Sequence, residues 1–204
     1  KKSFHFIMML IYKNQNSQII TNLGKIFLFE KDYSKAIECF EIAANNNSSD
    51  AIFELAQIYM NGNGIEKDVK KAKIYLKIFS NKYNSDIAQY HLGLIYNYEE
   101  KYLKSKKYFE LSANQNNSDA LMKLGIIYRD GLGIKKNPIK TFQYFEQAAK
   151  LGATDALFYL SVFCKNGFGT KKNLNRARRY YKLCVRYGIQ EACTNIGLYY
   201  FDEG

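Results

Sequence analysis

Tryptophan is absent from these 204 residues, proline occurs once and histidine twice. A single proline excludes proline-rich linkers and recognition tracts. Two histidines and four cysteines leave few members for an imidazole or thiolate metal cage, or for a histidine proton shuttle. An enzyme built on this chain would have to work with carboxylates, lysine or tyrosine, and no cofactor is expected. Long apolar runs are missing too. The longest, from Phe4 to Tyr12, is interrupted by His5 and falls far short of the roughly 20 residues that cross a bilayer. No membrane span is expected.

Acidic side chains are outnumbered, 19 Asp and Glu against 30 Lys and Arg, for a net charge of +11. Lys, Ile, Asn and Tyr together supply about two-fifths of the chain. Such a joint excess reads as compositional drift, so the charge by itself says little about nucleic acid. What the chain has is apolar mass: 47% hydrophobic residues, with 18 Tyr and 14 Phe. That excludes a disordered polyelectrolyte and predicts a folded chain.

The chain also repeats itself. Aligning a small-x-x-x-Leu element gives anchors at Leu23, Leu55, Leu92, Leu124, Leu160 and Ile196, spaced by 32, 37, 32, 36 and 36 residues. Four residues before the last five anchors stand Ala51, Ala88, Ala120, Ala156 and Ala192. Directly after the anchors come Gly24, Ala56, Gly93, Gly125, Ser161 and Gly197. Both columns demand small side chains, as expected where two helix backbones approach closely. Apolar residues at −4, −3, 0, +3 and +4 from each anchor share one helical face; this is helix A. A second element, helix B, carries Ala36, Ala72, Ser105, Thr141 and Ala177 at its first inward position. Phe40, Leu76, Phe109, Phe145 and Tyr181 follow one turn later.

Punctuation falls in register. Helix A is expected to be capped by Ser17, Ser49, Asp86, Ser118 and Thr154, and helix B by Asp32, Asp68, Asn137 and Asn173, with Lys101 breaking the column. Pro138 suits a first helical position. Helix B should end at Asn47, Asn116, Gly152 and Gly188, with Asn84 one place late, all tolerant of a left-handed C′ conformation. Three A-to-B connections hold Gly62-Asn63-Gly64, Gly131-Leu132-Gly133 and Gly167-Phe168-Gly169; two shorter ones, Phe29 to Tyr33 and Tyr98 to Tyr102, do not. Each Gly-x-Gly follows a helix and lacks a third glycine or a Gly-Lys-Ser/Thr ending, so none reads as a phosphate loop.

The long units, such as Ala120 to Ala156, resemble Sel1-like repeats, and the short ones, such as Asn22 to Asn46, are similar to tetratricopeptide repeats. The resemblance implies an all-α, right-handed α-solenoid of antiparallel helix pairs that binds proteins as a scaffold or adaptor. The expected division is 1–16 as the second half of a preceding repeat, then repeats over 17–48 (short), 49–85, 86–117 (short), 118–153 and 154–189, and 190–204 as the first helix of a sixth. Lys1-Lys2 and the apolar stretch behind them also suit a secretory signal, but no small-x-small site follows. The chain is expected to be a fragment of a longer array.

The four cysteines, Cys39, Cys164, Cys184 and Cys193, fall in columns that read as buried. They favour a reducing, cytoplasmic setting. Sequons at Asn46, Asn47 and Asn116 point the other way, to the endoplasmic-reticulum lumen or secretion. His91 lies beside an anchor with no carboxylate or cysteine at ligand spacing, and His5 sits in the incomplete first helix. No metal site and no catalytic residue is expected.

The informative surface is the back of helix A. Columns at −2 and +2 point away from helix B and bring Phe53, Tyr90, Leu94, Met122, Ile126, Phe158 and Val162 together, with Tyr98, Arg129 and Lys165 as polar edges. Either they form an apolar groove on the concave face for a partner helix or extended peptide, or superhelical curvature buries them between neighbouring A helices. A second candidate is the run Lys165 to Arg186, which contains Lys171, Lys172, Arg176, Arg178, Arg179, Lys182 and Arg186, four of the five arginines, and no acid. An acidic protein, a phosphorylated segment or, as the secondary class, nucleic acid would dock there.

Overall fold

The structure, a computed structural model, describes residues 16–189. Among them every regular element is a helix. In chain order they are α1 Ser17–Phe29, α2 Tyr33–Asn45, α3 Ser49–Asn61, α4 Val69–Tyr83, α5 Asp86–Tyr98, α6 Tyr102–Ala113, α7 Ser118–Asp130, α8 Pro138–Lys150, α9 Thr154–Asn166 and α10 Leu174–Arg186. Odd-numbered helices are the A helices of the repeat and even-numbered ones the B helices. The half-repeats expected over 1–16 and 190–204, with Cys193 and the anchor Ile196, lie outside the described residues apart from Asn16. The chain forms two compact units, Lys1–Ile95 and Tyr96–Gly204, divided within α5.

Within each unit helices A and B pack side by side. In the first unit α1 pairs with α2, α2 also meets α3, and α3 pairs with α4; in the second, α6 meets α7, α7 pairs with α8, α8 meets α9, and α9 pairs with α10. The anchors Leu55, Leu92, Leu124 and Leu160 are buried, as are all five small helix B residues, Ala36, Ala72, Ser105, Thr141 and Ala177. Leu23 is partly buried against the first core. Close approach explains the small column after the anchors: a Cβ on Gly24 would stand 2.6 Å from the ring of Phe40, and one on Gly125 2.6 Å from the ring of Phe145.

A second recurring device holds A to B. The +4 position of helix A and an aromatic three residues past the small helix B position stack as Tyr59 on Tyr75, Tyr96 on Tyr108 and Tyr128 on Tyr144, with centroids 5.8, 5.3 and 5.5 Å apart. A lysine from helix B lies over each helix A ring: Lys71 over Tyr59, Lys104 over Tyr96 and Lys140 over Tyr128. Such a cation adds about 0.5–1 kcal/mol at an exposed site. In the first and fifth repeats one ring is replaced by a cysteine, Cys39 and Cys164, both fully buried.

Helix B starts as expected. Asp32, Asp68, Asn137 and Asn173 accept the N–H of Lys35, Lys71, Lys140 and Arg176, while Lys101 makes no side-chain cap. The expected helix A caps are displaced by one residue. The side chains that accept are Asn16, Ser48, Ser85 and Asn117, and Ala153 in the fifth repeat offers none. Runs such as Ser48-Ser49-Asp50 hold several cap-competent residues, and only the first has extended backbone. Left-handed backbone occurs at Asn47, Asn84, Asn116, Gly152 and Gly188, as expected, and also at Lys31 and Glu100 in the two short connections.

The Gly-x-Gly turns have a packing reason. The first glycine closes helix A; the second lies against the start of the preceding helix B, with Gly64 facing Tyr33, Gly133 facing Tyr102, and Gly169 facing the carbonyl of Pro138. Gly152 has the same sign of φ, +92° against +68° at Gly169, but open space around it. Gly152→Ala should therefore cost only the left-handed strain, about 1–2 kcal/mol. Gly169→Ala should cost about 1–3 kcal/mol more, because a methyl group there meets backbone that cannot retreat. Chemical denaturation of the two variants checks the difference; equal losses would show that the second glycine serves only its turn.

Candidate functional site

In the second unit, Met122 and Ile126 of α7 and Phe158 and Val162 of α9 are all partly buried. They sit one strip away from the closed anchor columns, and Met122, Ile126 and Phe158 lean on the edge of the core. Phe158 meets Tyr159 edge-on, with centroids 6.0 Å apart. At the end of the strip Arg129 bonds Asp130 at 2.8 and 3.0 Å and lies 5.9 Å over the Tyr159 ring. Hydrogen bonding to Asp130 holds the guanidinium charged, and Arg129 in turn keeps the Asp130 carboxyl below its usual range. Lys165 is partly buried, whereas Tyr98 projects with 90% of its surface exposed.

In the first unit, Phe53 of α3 and Tyr90 and Leu94 of α5 are likewise partly buried. The sequence pattern points Phe53 away from helix B, and here the structure differs. Its ring lies 5.6 Å from Phe79 at the end of α4 and 6.4 Å from His91. The last turn of helix B passes beside the first turn of helix A, so a residue on the back of A near its N-terminus still meets B. Thr21, in the same column, is fully buried and bonds the Ser17 carbonyl and the Ser48 hydroxyl. Lys25 faces Asp50 and Glu54 at 3.7 and 3.8 Å, so the strip of this unit begins polar.

The basic run is divided by the structure. Arg176 is committed inward: it bonds Glu146 at 2.5 Å and the Tyr180 hydroxyl at 3.2 Å, and lies 4.9 Å over Phe142. Arg178 is partly buried. Lys171, Lys172, Arg179, Lys182 and Arg186 are exposed. Cys39, Cys164 and Cys184 are buried, as their columns predict. Burial, with Glu38 adding to it, pushes the Cys39 thiol up to about 11, far from a reactive thiolate.

The Sel1 repeat family profile matches residues 23–48, 49–83, 86–117, 118–152 and 154–183. The chain belongs to the Sel1 repeat family. Both short units fall within the Sel1 matches, beside the three long ones. Among solved structures, the protective antigen c5321 of uropathogenic Escherichia coli, displaying an SLR fold, is 26% identical with a TM-score of 0.84. That match covers 96% of this chain but 44% of c5321, so the chain spans less than half of that protein. A Sel1 repeat protein from Oxalobacter formigenes is 30% identical, TM-score 0.73, over 84% of this chain and 71% of that one. PilF of Pseudomonas aeruginosa shares the fold at 16% identity, TM-score 0.61, over 83% and 75%. No curated protein sequence matches.

The Sel1 chain is thus all-α, of the α-solenoid class, and Sel1 repeats typically bind proteins. Among the described residues no helix is long and apolar enough to cross a membrane. His91, beside the anchor Leu92, is a packing histidine, set between Phe53 and Tyr90. Burial holds its imidazole below the ordinary value of 6.5. The unfolded chain therefore binds more protons between that lowered value and 6.5. The stability this residue contributes is complete above 6.5 and declines as pH falls through that window. Thermal melts should fall between about pH 7 and about pH 5.5, and the fall should be shallower in His91→Gln. An unchanged slope in the variant would assign the pH dependence to other groups.

Proposed function

We propose that this Sel1 array is a non-catalytic binding module that captures a polypeptide, as a helix or an extended segment, on the apolar strip of its A helices. The observation that supports the reading is the strip in the second unit. Met122, Ile126, Phe158 and Val162 come from two successive A helices, are all apolar, and keep surface accessible while the columns beside them are closed. Single exposed apolar residues need no explanation; a contiguous strip in register does. Arg129, Lys165 and the protruding Tyr98 supply a polar and aromatic edge of the kind that anchors interfaces. Phe53, Tyr90 and Leu94 form the counterpart within the first unit. The buried thiols of Cys39 and Cys164 support a reducing compartment such as the cytoplasm as the place of action.

Phe53 and Phe158 also brace the fold, so they are poor probes of binding. Val162 and Leu94 are better ones. Peptides selected from a displayed random library against the wild-type chain should carry apolar anchors. Val162→Asp or Leu94→Asp should weaken their binding at least about tenfold, the loss expected of a desolvated anchor, with a thermal melt near that of the wild type. Selected peptides that bind both variants as tightly as the wild type would overturn the reading.

A further inference from the structure

Helices α4 and α10 are the two B helices without an acid, and α10 differs in turning arginine outward, where the exposed cations of α4 are all lysines. Ala177, Tyr181 and Cys184 close onto the core. On the opposite side Arg179, Lys182 and Arg186 stand exposed, at i, i+3 and i+7 along about 10 Å of helix. Among the described residues none of the three makes a hydrogen bond or an ion pair. Val185 lies beside them, 45% exposed. Like charges at this spacing repel one another, and among the described residues no carboxylate pairs with them; there is no acid from Lys165 to Arg186. Glu146, which occupies the register position of Lys182 on α8, is already bonded by Arg176.

We propose that this face of α10 docks an acidic polypeptide segment, with carboxylates meeting Arg179, Lys182 and Arg186 and an apolar side chain resting on Val185. It is a surface separate from the A-helix strip. Guanidinium groups pair carboxylates in a bidentate fork, which a lysine face does not offer. The surroundings favour polypeptide over single-stranded nucleic acid, which needs a row of aromatic faces on which successive bases stack. Here Tyr181 is buried, Tyr180 is covered by Arg176, and Tyr187 stands alone past the helix end.

The test is fluorescence anisotropy of a labelled Glu-rich peptide about four helical turns long, beside a single-stranded RNA of equal charge, at low and high salt. The peptide should bind at low salt and weaken as salt rises. Binding should fall at least about tenfold in R179E/K182E/R186E, with little change in K70E/K77E, which reverses exposed charges on α4. If the triple reversal fails to fold, R179Q/K182Q/R186Q carries the same expectation. Equal loss in the α4 variant would mean diffuse positive charge, and tighter binding of RNA than of peptide would mean a nucleic-acid surface. Either result, or no peptide binding at low salt, overturns the proposal.

Discussion

The close approach of helix A to helix B is the constraint on which the rest of this structure depends. At Gly24 and Gly125 the backbone lies so near the facing rings of Phe40 and Phe145 that a methyl group would stand 2.6 Å from them. Where helix B carries Leu76 instead, the matching helix A residue is Ala56. Small and large side chains thus alternate across the seam, as close packing at near-crystalline density requires. With that distance set, the tyrosines on either side are brought to stacking range, and a helix B lysine is carried over the helix A ring in each of the three central repeats. Burial of an anchor leucine, worth about 2–5 kcal/mol on truncation to Ala, then follows from geometry that the small column has already fixed.

The same packing decides which surfaces are left for binding. Where helix B is held between two A helices, as α2 and α8 are, only its outward stripe is free to vary in charge. In repeats three and four that stripe carries Glu110 and Glu146, which pair with Lys106 and Arg176; in repeat five it carries cations alone. Helix A keeps one strip partly open. Phe53 in the first unit and Phe158 in the second each lean on neighbouring rings; a partner captured as proposed would meet side chains already ordered, which reduces the ordering cost of association.

Much of this was legible in the sequence because a repeat supplies its own alignment. The anchors, the alanine column and the helix B caps recur at fixed offsets, and a column that is small five times over has a steric cause wherever it lies. What escaped was information that the period does not carry. The helix A caps fall one residue before the position the pattern indicates, since Ser48 and Ser49, or Asn117 and Ser118, are chemically interchangeable and the backbone selects between them. Glu146 and Arg176 are 30 residues apart in sequence, so their ion pair emerges only when successive B helices lie side by side. The contact of Phe53 with Phe79 depends on the length of α4 rather than on the angular position of Phe53. The left-handed Lys31 and Glu100 carried no signal, being residues that ordinarily avoid that conformation.

The small-for-large seam is tested most directly by a double-mutant cycle between Gly125 and Phe145, read as unfolding free energies. Gly125→Ala alone should destabilise the chain, because Phe145 is fully buried and its ring has nowhere to go. Phe145→Leu alone should also destabilise it, through lost apolar contact. In the Phe145→Leu background, however, Gly125→Ala should be neutral or stabilising by up to about 1 kcal/mol, the helix propensity that glycine forgoes, reproducing the Ala56 and Leu76 arrangement of the second repeat. Additive losses, with no coupling between the two positions, would contradict the account.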